Sequence, residues 1–331
     1  MHRARRTLTT LCCYAMGLVC VAALASGHTV HANTELHIAL LLWRGETEAE
    51  LGFKEELQAL GYTVRYTVKN AEQDKQRLGQ VLRHDIVPQL QTFDYIYTFG
   101  TTVSQITKAV IQNKVSQIFN IVTDPVGAGI IRDLQASGEN ISGTTSDIPL
   151  AMQMDAALKI LPLRRLGFLY NPREKNAMLV RQQLLEIATQ ARIEVLELRS
   201  PPADDMLRKQ LQHLVEQSIV VDAVYLPADS YMVSQAALIG TQLRAAKLPS
   251  IGSVKTFVEH GALVGVVADY ASLGRATARI VHRHRQGEEL ARIPVQTVQA
   301  PVLVINTTAS KLLNLTIPDA VLKEALIVEE K

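Results

Sequence analysis

The run DYIYTFG (94–100), TTVSQITKAVIQNK (101–114), VSQIFNIV (115–122), TDPVGAG (123–129) decides the fold. Tyr95–Phe99 is a short apolar and aromatic segment that stops at Gly100, which suits a buried strand ending in a tight turn. Thr101 and Thr102 then stand where a helix N-cap belongs, and Val103, Ile106 and Val110 recur at helical spacing. A second strand follows, stopped by Thr123-Asp124-Pro125 and loosened by Gly127 and Gly129. Two consecutive strands thus end in small polar loops. In open α/β sheets ligands sit outside the carboxyl ends of the strands, so this stretch is a candidate binding wall.

Working outward, the chain alternates strand and helix almost throughout. His37–Trp43 reads as a strand, 46–60 as an amphipathic helix, 63–68 as a strand, and 74–90 as a charged helix broken near Pro88. After the opening stretch, 140–145 is a short strand. A second alternating set begins near Pro149: helix 150–161, strand 165–170, helix 174–191, strand 193–198, helix 204–217, strand 223–226, helix 231–246, and strands 250–252 and 262–267. Helix 273–285 and strand 302–305 come last. Alternation of this kind predicts parallel sheets joined by right-handed crossovers, and two such sets predict two lobes with a cleft between them.

The 331 residues suffice for two medium domains with their own cores. A formal charge of +2 gives no reason to expect nucleic acid as a partner. The N-terminus differs in kind. Arg3, Arg5 and Arg6 precede an uncharged apolar run, Leu8 to Ala25, and small-residue sites follow at Ala23-Leu24-Ala25 and Val30-His31-Ala32. We read residues 1–32 as a secretory signal peptide and the mature protein as periplasmic. A retained membrane anchor is the competing reading. Cleavage after Ala32 leaves 31 basic against 32 acidic side chains. It also removes Cys12, Cys13 and Cys20, the chain's only cysteines. A cysteine-free mature chain excludes thiol catalysis, Cys–zinc sites and disulfides.

The residues after each expected strand share a chemistry: Trp43-Arg44-Gly45-Glu46, Gly100-Thr101-Thr102, Thr123-Asp124-Pro125, Ser146-Asp147, Tyr170-Asn171-Pro172, Asp229-Ser230 and Asp269-Tyr270. Hydroxyls and backbone N–H groups at a helix start suit a carboxylate. Asp oxygens suit an ammonium, and aromatic faces suit an apolar side chain. Each Asp, Asn, Ser or Thr serves equally well as a helix cap. Trp43 stands evenly between core packing and a cover over a ligand. Phosphate-loop, dinucleotide, nucleophile-elbow and HExxH patterns are absent, so neither enzyme chemistry nor a cofactor or metal is expected. His282-Arg283-His284-Arg285 reads as cations at a helix C-terminus.

Several blocks in order, TFGTTVSQITKA, VTDPVGAGII, GENISGTTSD, LGFLYNPREKNA, DAVYLPADS and GALVGVVADYASLGRATA, resemble the substrate-binding proteins of ABC importers whose studied members bind tryptophan or other aromatic amino acids. The resemblance implies a type I periplasmic-binding fold, α/β, with two Rossmann-like lobes, three crossovers and hinge closure on a ligand. The implied lobes are 33–146 with a returning segment near 269–294, and 147–268 with the C-terminal segment 295–331. Ligand contacts are implied at Thr101, Thr102, Thr123, Asp124, Ser146, Asn171, Asn176, Asp229 and Asp269. Trp43 joins them from the strand-end pattern. Asp124, Asp229 or Asp269 is expected to hold the ammonium and the Thr101–Thr102 helix start the carboxylate. Trp43-Arg44-Gly45 departs from a short His-Pro type sequence in many relatives, and Asp229-Ser230 from a common Asp-Asn pair. The expected partners are a small amino-acid ligand and an ABC permease with its ATPase, met by a monomer. A sensory module and a two-lobed enzyme are the rival classes.

Overall fold

The computed structural model describes residues 35–202 and 205–329, so the expected signal peptide (residues 1–32), the three cysteines and Asp204 lie outside the described residues. The first sheet holds β1 (Glu35–Leu42), β2 (Thr63–Asn70), β3 (Tyr95–Phe99), β4 (Ser116–Val122) and β5 (Ile141–Thr145). Its order is β2-β1-β3-β4-β5 and every pairing is parallel. One register row runs Val68, Leu40, Tyr97, Ile118, Ser142 across it. β1 and β3 are buried nearly end to end because helices cover both faces, whereas the edge strand β2 is half-exposed.

The second sheet holds β6 (Arg165–Tyr170), β7 (Glu194–Arg199), β8 (Ala223–Leu226), β9 (Ser250–Gly252), β10 (Val264–Val267), β11 (Val302–Asn306) and β12 (Leu326–Val328), in the order β12-β11-β10-β9-β8-β6-β7. The sequence pattern predicts parallel strands throughout, but β11 runs antiparallel to β10. The chain leaves β10 at its carboxyl end, visits the first sheet, and re-enters beside that same end, where Val302 pairs with Val267. It must therefore run back down.

The helices around the first sheet are α1 (Glu48–Ala59), α2 (Lys75–Val81) and α3 (Thr101–Ile111). Those following into the second are α4 (Leu150–Leu158), α5 (Lys175–Ala191), α6 (Met206–Val215), α7 (Ser230–Ser234), α8 (Ala236–Ala245) and α9 (Lys255–Glu259). α10 (Tyr270–Arg285) returns to the first sheet and lies along α1, and α11 (Thr307–Leu312) and α12 (Asp319–Glu324) close the chain. Three expectations are corrected here. The helix expected over 74–90 ends as α2 and continues as a π turn, Leu82–Ile86, and a 3-10 turn around Pro88, which has no N–H to donate. The helix expected over 231–246 is two helices broken at Gln235 (φ −104°, ψ 12°). α9, α11, α12 and β12 were not foreseen, each being six residues or fewer. Among the described residues no helix is long and apolar enough to cross a membrane.

α1 and α10 approach closely because two glycines face the contact: a Cβ on Gly52 would stand 2.3 Å from the Ala271 carbonyl oxygen, and one on Gly274 2.0 Å from that of Ala49. Under this contact runs a buried polar chain. Tyr97 donates to Glu50 Oε1 (2.6 Å), Asn120 Nδ2 donates to Tyr97 Oη (2.9 Å), and Thr144 donates to Asn120 Oδ1 (2.6 Å) and meets Thr277 Oγ1 at 3.0 Å. Burial raises the Glu50 carboxyl, partly offset by its hydrogen bonds with Tyr97 and Thr47. Glu50 also completes a capping box with Thr47, whose N–H donates to Glu50 Oε2 at 2.7 Å. The loop leaving β1 is thereby tied to the core.

The HRHR end of α10 packs on the same layer. His282 Nδ1 lies 2.9 Å from Tyr62 Oη, and His284 Nδ1 lies 2.7 Å from Tyr95 Oη. Burial, and then the neighbouring Arg285 charge, lower the His284 pKa below 6.5. A group whose folded pKa is depressed binds its proton first in the unfolded state, so stability is lost as pH falls through about 6.5. Urea denaturation at pH 7.5 and 5.5 is expected to show this loss, and His284→Gln to make it smaller. An equal loss in the variant would clear His284 of the effect.

Candidate functional site

The carboxyl ends of the two sheets meet around a cavity of about 440 Å³, counting its mouth. From the first sheet come Trp43 and Arg44 after β1, Phe99 to Thr102 at the β3–α3 turn, Ile121 and Thr123 at the end of β4, and Ser146 after β5. From the second come Glu174, Asn176, Ala228, Ser230, Val233 and Val254, with Tyr270 reaching in from the start of α10. A larger adjoining cavity, about 1240 Å³ with its open mouth, shares Arg44, Val233, Val254 and Tyr270 with it.

Gly100 makes the turn into α3 at φ 81°, a conformation that carries a strain penalty for a residue with a Cβ. No side chain caps α3, so its first N–H groups face the cavity end of the helix without a side-chain acceptor. β4 slips register between Phe119 and Val122, and there Ile121 takes φ 55°. A β-branched residue in the left-handed region is strained. The bulge sets Ile121 on the cavity wall.

Six of the ten expected contacts line the cavity: Trp43, Thr101, Thr102, Thr123, Ser146 and Asn176. Four do not. Asp229 is wholly buried; its Oδ1 accepts the Met232 N–H (3.0 Å) as the cap of α7 and its Oδ2 accepts the Asn171 N–H (2.5 Å). Burial, and then the Glu174 charge beside it, raise its carboxyl well above the ordinary range. Asn171 Oδ1 accepts the Arg173 N–H (3.0 Å) in an Asx turn. Asp124 Oδ1 accepts the Gly127 N–H (2.7 Å). Asp269 caps α10 through Ser272 and lines the adjoining cavity; burial raises its carboxyl, but the Ser272 bonds and the Arg275 charge more than reverse this. Asp147, on the first crossing between sheets, is pushed up to about 6 by burial and the Asp124 charge.

The carboxylate that does line the cavity is Glu174, which the sequence pattern shows only as a helix start. It leaves its own helix uncapped. Instead its oxygens accept the N–H groups of Ser230 (3.0 Å) and Tyr231 (3.1 Å) at the start of α7. Asn176 Nδ2 holds the Ala228 carbonyl on the same wall. Arg44 is the cavity's cation, its guanidinium 5.4 Å from the Phe99 ring centroid. The wall thus offers one cation and a helix start on one side, one anion on the other, and three aromatic rings. Among the described residues no three His, Cys, Asp or Glu side chains gather as a metal site.

A family model described as "ABC transporter substrate binding protein" matches residues 43–329. A tyrosine-binding protein of Clostridioides difficile (strain R20291) is 25% identical over 273 residues, 81% of this chain and 77% of that protein. Among solved structures, an ABC domain in complex with L-Trp from Streptococcus pneumonia has TM-score 0.81 at 24% identity, covering 89% of this chain and 100% of that one. A conserved domain protein of Vibrio cholerae O1 biovar eltor has TM-score 0.81 at 26% identity, covering 89% and 99%. The fold is the type I periplasmic-binding fold.

Proposed function

The chain belongs to the family of ABC transporter substrate-binding proteins, and from that premise we propose that it binds a free aromatic amino acid in the cavity between its sheets and passes it to a membrane permease. The observation that carries the reading is the wall itself: Arg44 and the α3 start from the first sheet, Glu174 from the second, and the aromatic residues Trp43, Phe99 and Tyr270 lining the same cavity. That is the complement of a zwitterion with a ring. A ligand ammonium takes Glu174, the carboxylate on the cavity wall, whose oxygens also hold the Ser230 and Tyr231 N–H groups, in place of the expected Asp124, Asp229 or Asp269, which do not line that cavity. Tyrosine and tryptophan in the names of two relatives support the ligand class.

The closing bodies are residues 33–146 with 269–294, and 147–268 with 295–331, hinged where the chain passes between sheets. Those passages lie between Thr145 and Leu150, Val267 and Tyr270, and Gln296 and Val302. Residues 1–32 direct the protein to the periplasm, where it works as a monomer beside the permease and its ATPase.

A thermal-shift and calorimetric screen of the purified protein against the amino acids tests the reading. L-Trp or L-Tyr at a hundred times its Kd is expected to add about 2.7 kcal/mol of stability. If no amino acid shifts the melting point, the ligand assignment fails and the fold stands. Glu174→Gln is expected to weaken binding roughly ten- to a hundredfold, since a charge-assisted bond contributes roughly 1.5–3 kcal/mol. Unchanged affinity would remove Glu174 from the ligand's contacts.

A further inference from the structure

Trp43 poses a question that the strand-end pattern leaves open. Its ring is 5% exposed and packed among the first sheet's core residues, yet it also lines the cavity. Its Nε1–H has no hydrogen-bond partner among the described residues. An indole nitrogen only donates, and a buried donor without an acceptor is costly to keep. An acceptor lodged in the cavity that Trp43 lines would satisfy it.

The next residue indicates which acceptor. Arg44 follows Trp43 directly, lines the same cavity and rests over Phe99. The pair is held in place by its backbone: the Gln73 N–H donates to the Trp43 carbonyl at 2.7 Å, and the capping box at Thr47 fixes the chain beyond Gly45. A neutral donor and a guanidinium on successive residues of one cavity wall suit a carboxylate with two oxygens. The only other charge on the wall, Glu174, stands across from them on the second sheet's side and would repel one.

We infer that Trp43 Nε1 and the Arg44 guanidinium clamp the ligand's carboxylate and restrict the ligand to amino acids whose carboxyl group is free. The inference rests on the amino-acid reading above and assigns to this pair the anion that the strand-end pattern gives to the Thr101–Thr102 helix start. Both follow neighbouring strands of the first sheet, β1 and β3, so the helix start supports the clamp.

The test compares L-tryptophan with L-tryptophanamide, and L-tyrosine with its amide, by calorimetry on the parent protein, Trp43→Phe and Arg44→Gln. Trp43→Phe keeps a packed ring and removes the N–H. Each variant is expected to bind the free acid roughly ten- to a hundredfold more weakly, the effect of losing a hydrogen bond to a charged group. Each is expected to weaken amide binding less, roughly two- to tenfold, because the amide keeps a carbonyl acceptor but carries no charge. Unfolding midpoints verify that the variants are folded, and Arg44→Gln, at a half-buried site, keeps the test open if Trp43→Phe misfolds. An equal loss for acid and amide would make the pair a shaping element and overturn the clamp. Undiminished acid binding would overturn it too. A parent protein that binds neither L-tryptophan nor L-tyrosine would overturn the amino-acid reading and the clamp together.

Discussion

Asp229→Ala is expected to lower the unfolding free energy by about 2 kcal/mol while leaving ligand affinity within about threefold of the parent. The carboxylate holds two buried backbone donors, the Asn171 and Met232 N–H groups, and the alanine leaves both without an acceptor. Each such loss costs about 1–3 kcal/mol, and the α7 cap disappears as well. Part of this is offset because Asp229 stands against the Glu174 charge in a buried place, which raises its carboxyl. Urea denaturation with a parallel titration of the ligand separates the possibilities. A clear loss of affinity at unchanged stability would return Asp229 to the ligand-binding role that its place after β8 suggests.

Gly274→Ala is expected to cost about 1–2 kcal/mol despite replacing a helical glycine. Alanine gains about 1 kcal/mol of helix propensity. Against this, its Cβ would stand 2.0 Å from the Ala49 carbonyl oxygen and 2.9 Å from the Phe53 nitrogen, both backbone atoms of α1. Neither can swing aside, so the helices must separate along their contact, and overpacking of this kind costs roughly 1–3 kcal/mol or more. Gly52→Ala should behave alike, its Cβ meeting the Ala271 oxygen at 2.3 Å. Gly79→Ala in α2 is the control: the nearest atom is the flexible Arg83 guanidinium at 3.3 Å, so the propensity gain should survive. A neutral or stabilising Gly274→Ala would mean that α10 does not hold α1 this closely.

The two alternating sets and the cavity's place at the strand ends were legible in the sequence because β1, β3 and β4 are continuous apolar runs closed by Gly100, Thr123 and their neighbours. What could not be read is which polar residue faces inward. Asp229, Asp124, Asp269 and Asn171 stop strands with the same oxygens that a ligand would want, and only tertiary structure shows those oxygens taken by N–H groups two or three residues on. Glu174 was missed for the opposite reason. Its partners Ser230 and Tyr231 are 56 and 57 positions away, and no local pattern marks it. Arg44 stood out as part of an unusual Trp43-Arg44-Gly45 turn, but its stacking on Phe99 belongs to the fold. Ile121 reads as an ordinary strand residue, and its φ of 55° is imposed by the bulge.

The return of α10 to the first sheet has a consequence for the order in which the molecule can be built. β1 to β5 are all present once residue 145 has been made, but the helix that covers α1 and completes the Glu50–Thr277 chain of hydrogen bonds does not emerge until 270–285. Contacts such as Tyr62 with His282 join positions 220 apart. Closing so long a loop is slow relative to local pairing. The packing of the first sheet is therefore completed only by a helix that follows β6 to β10 of the second sheet along the chain.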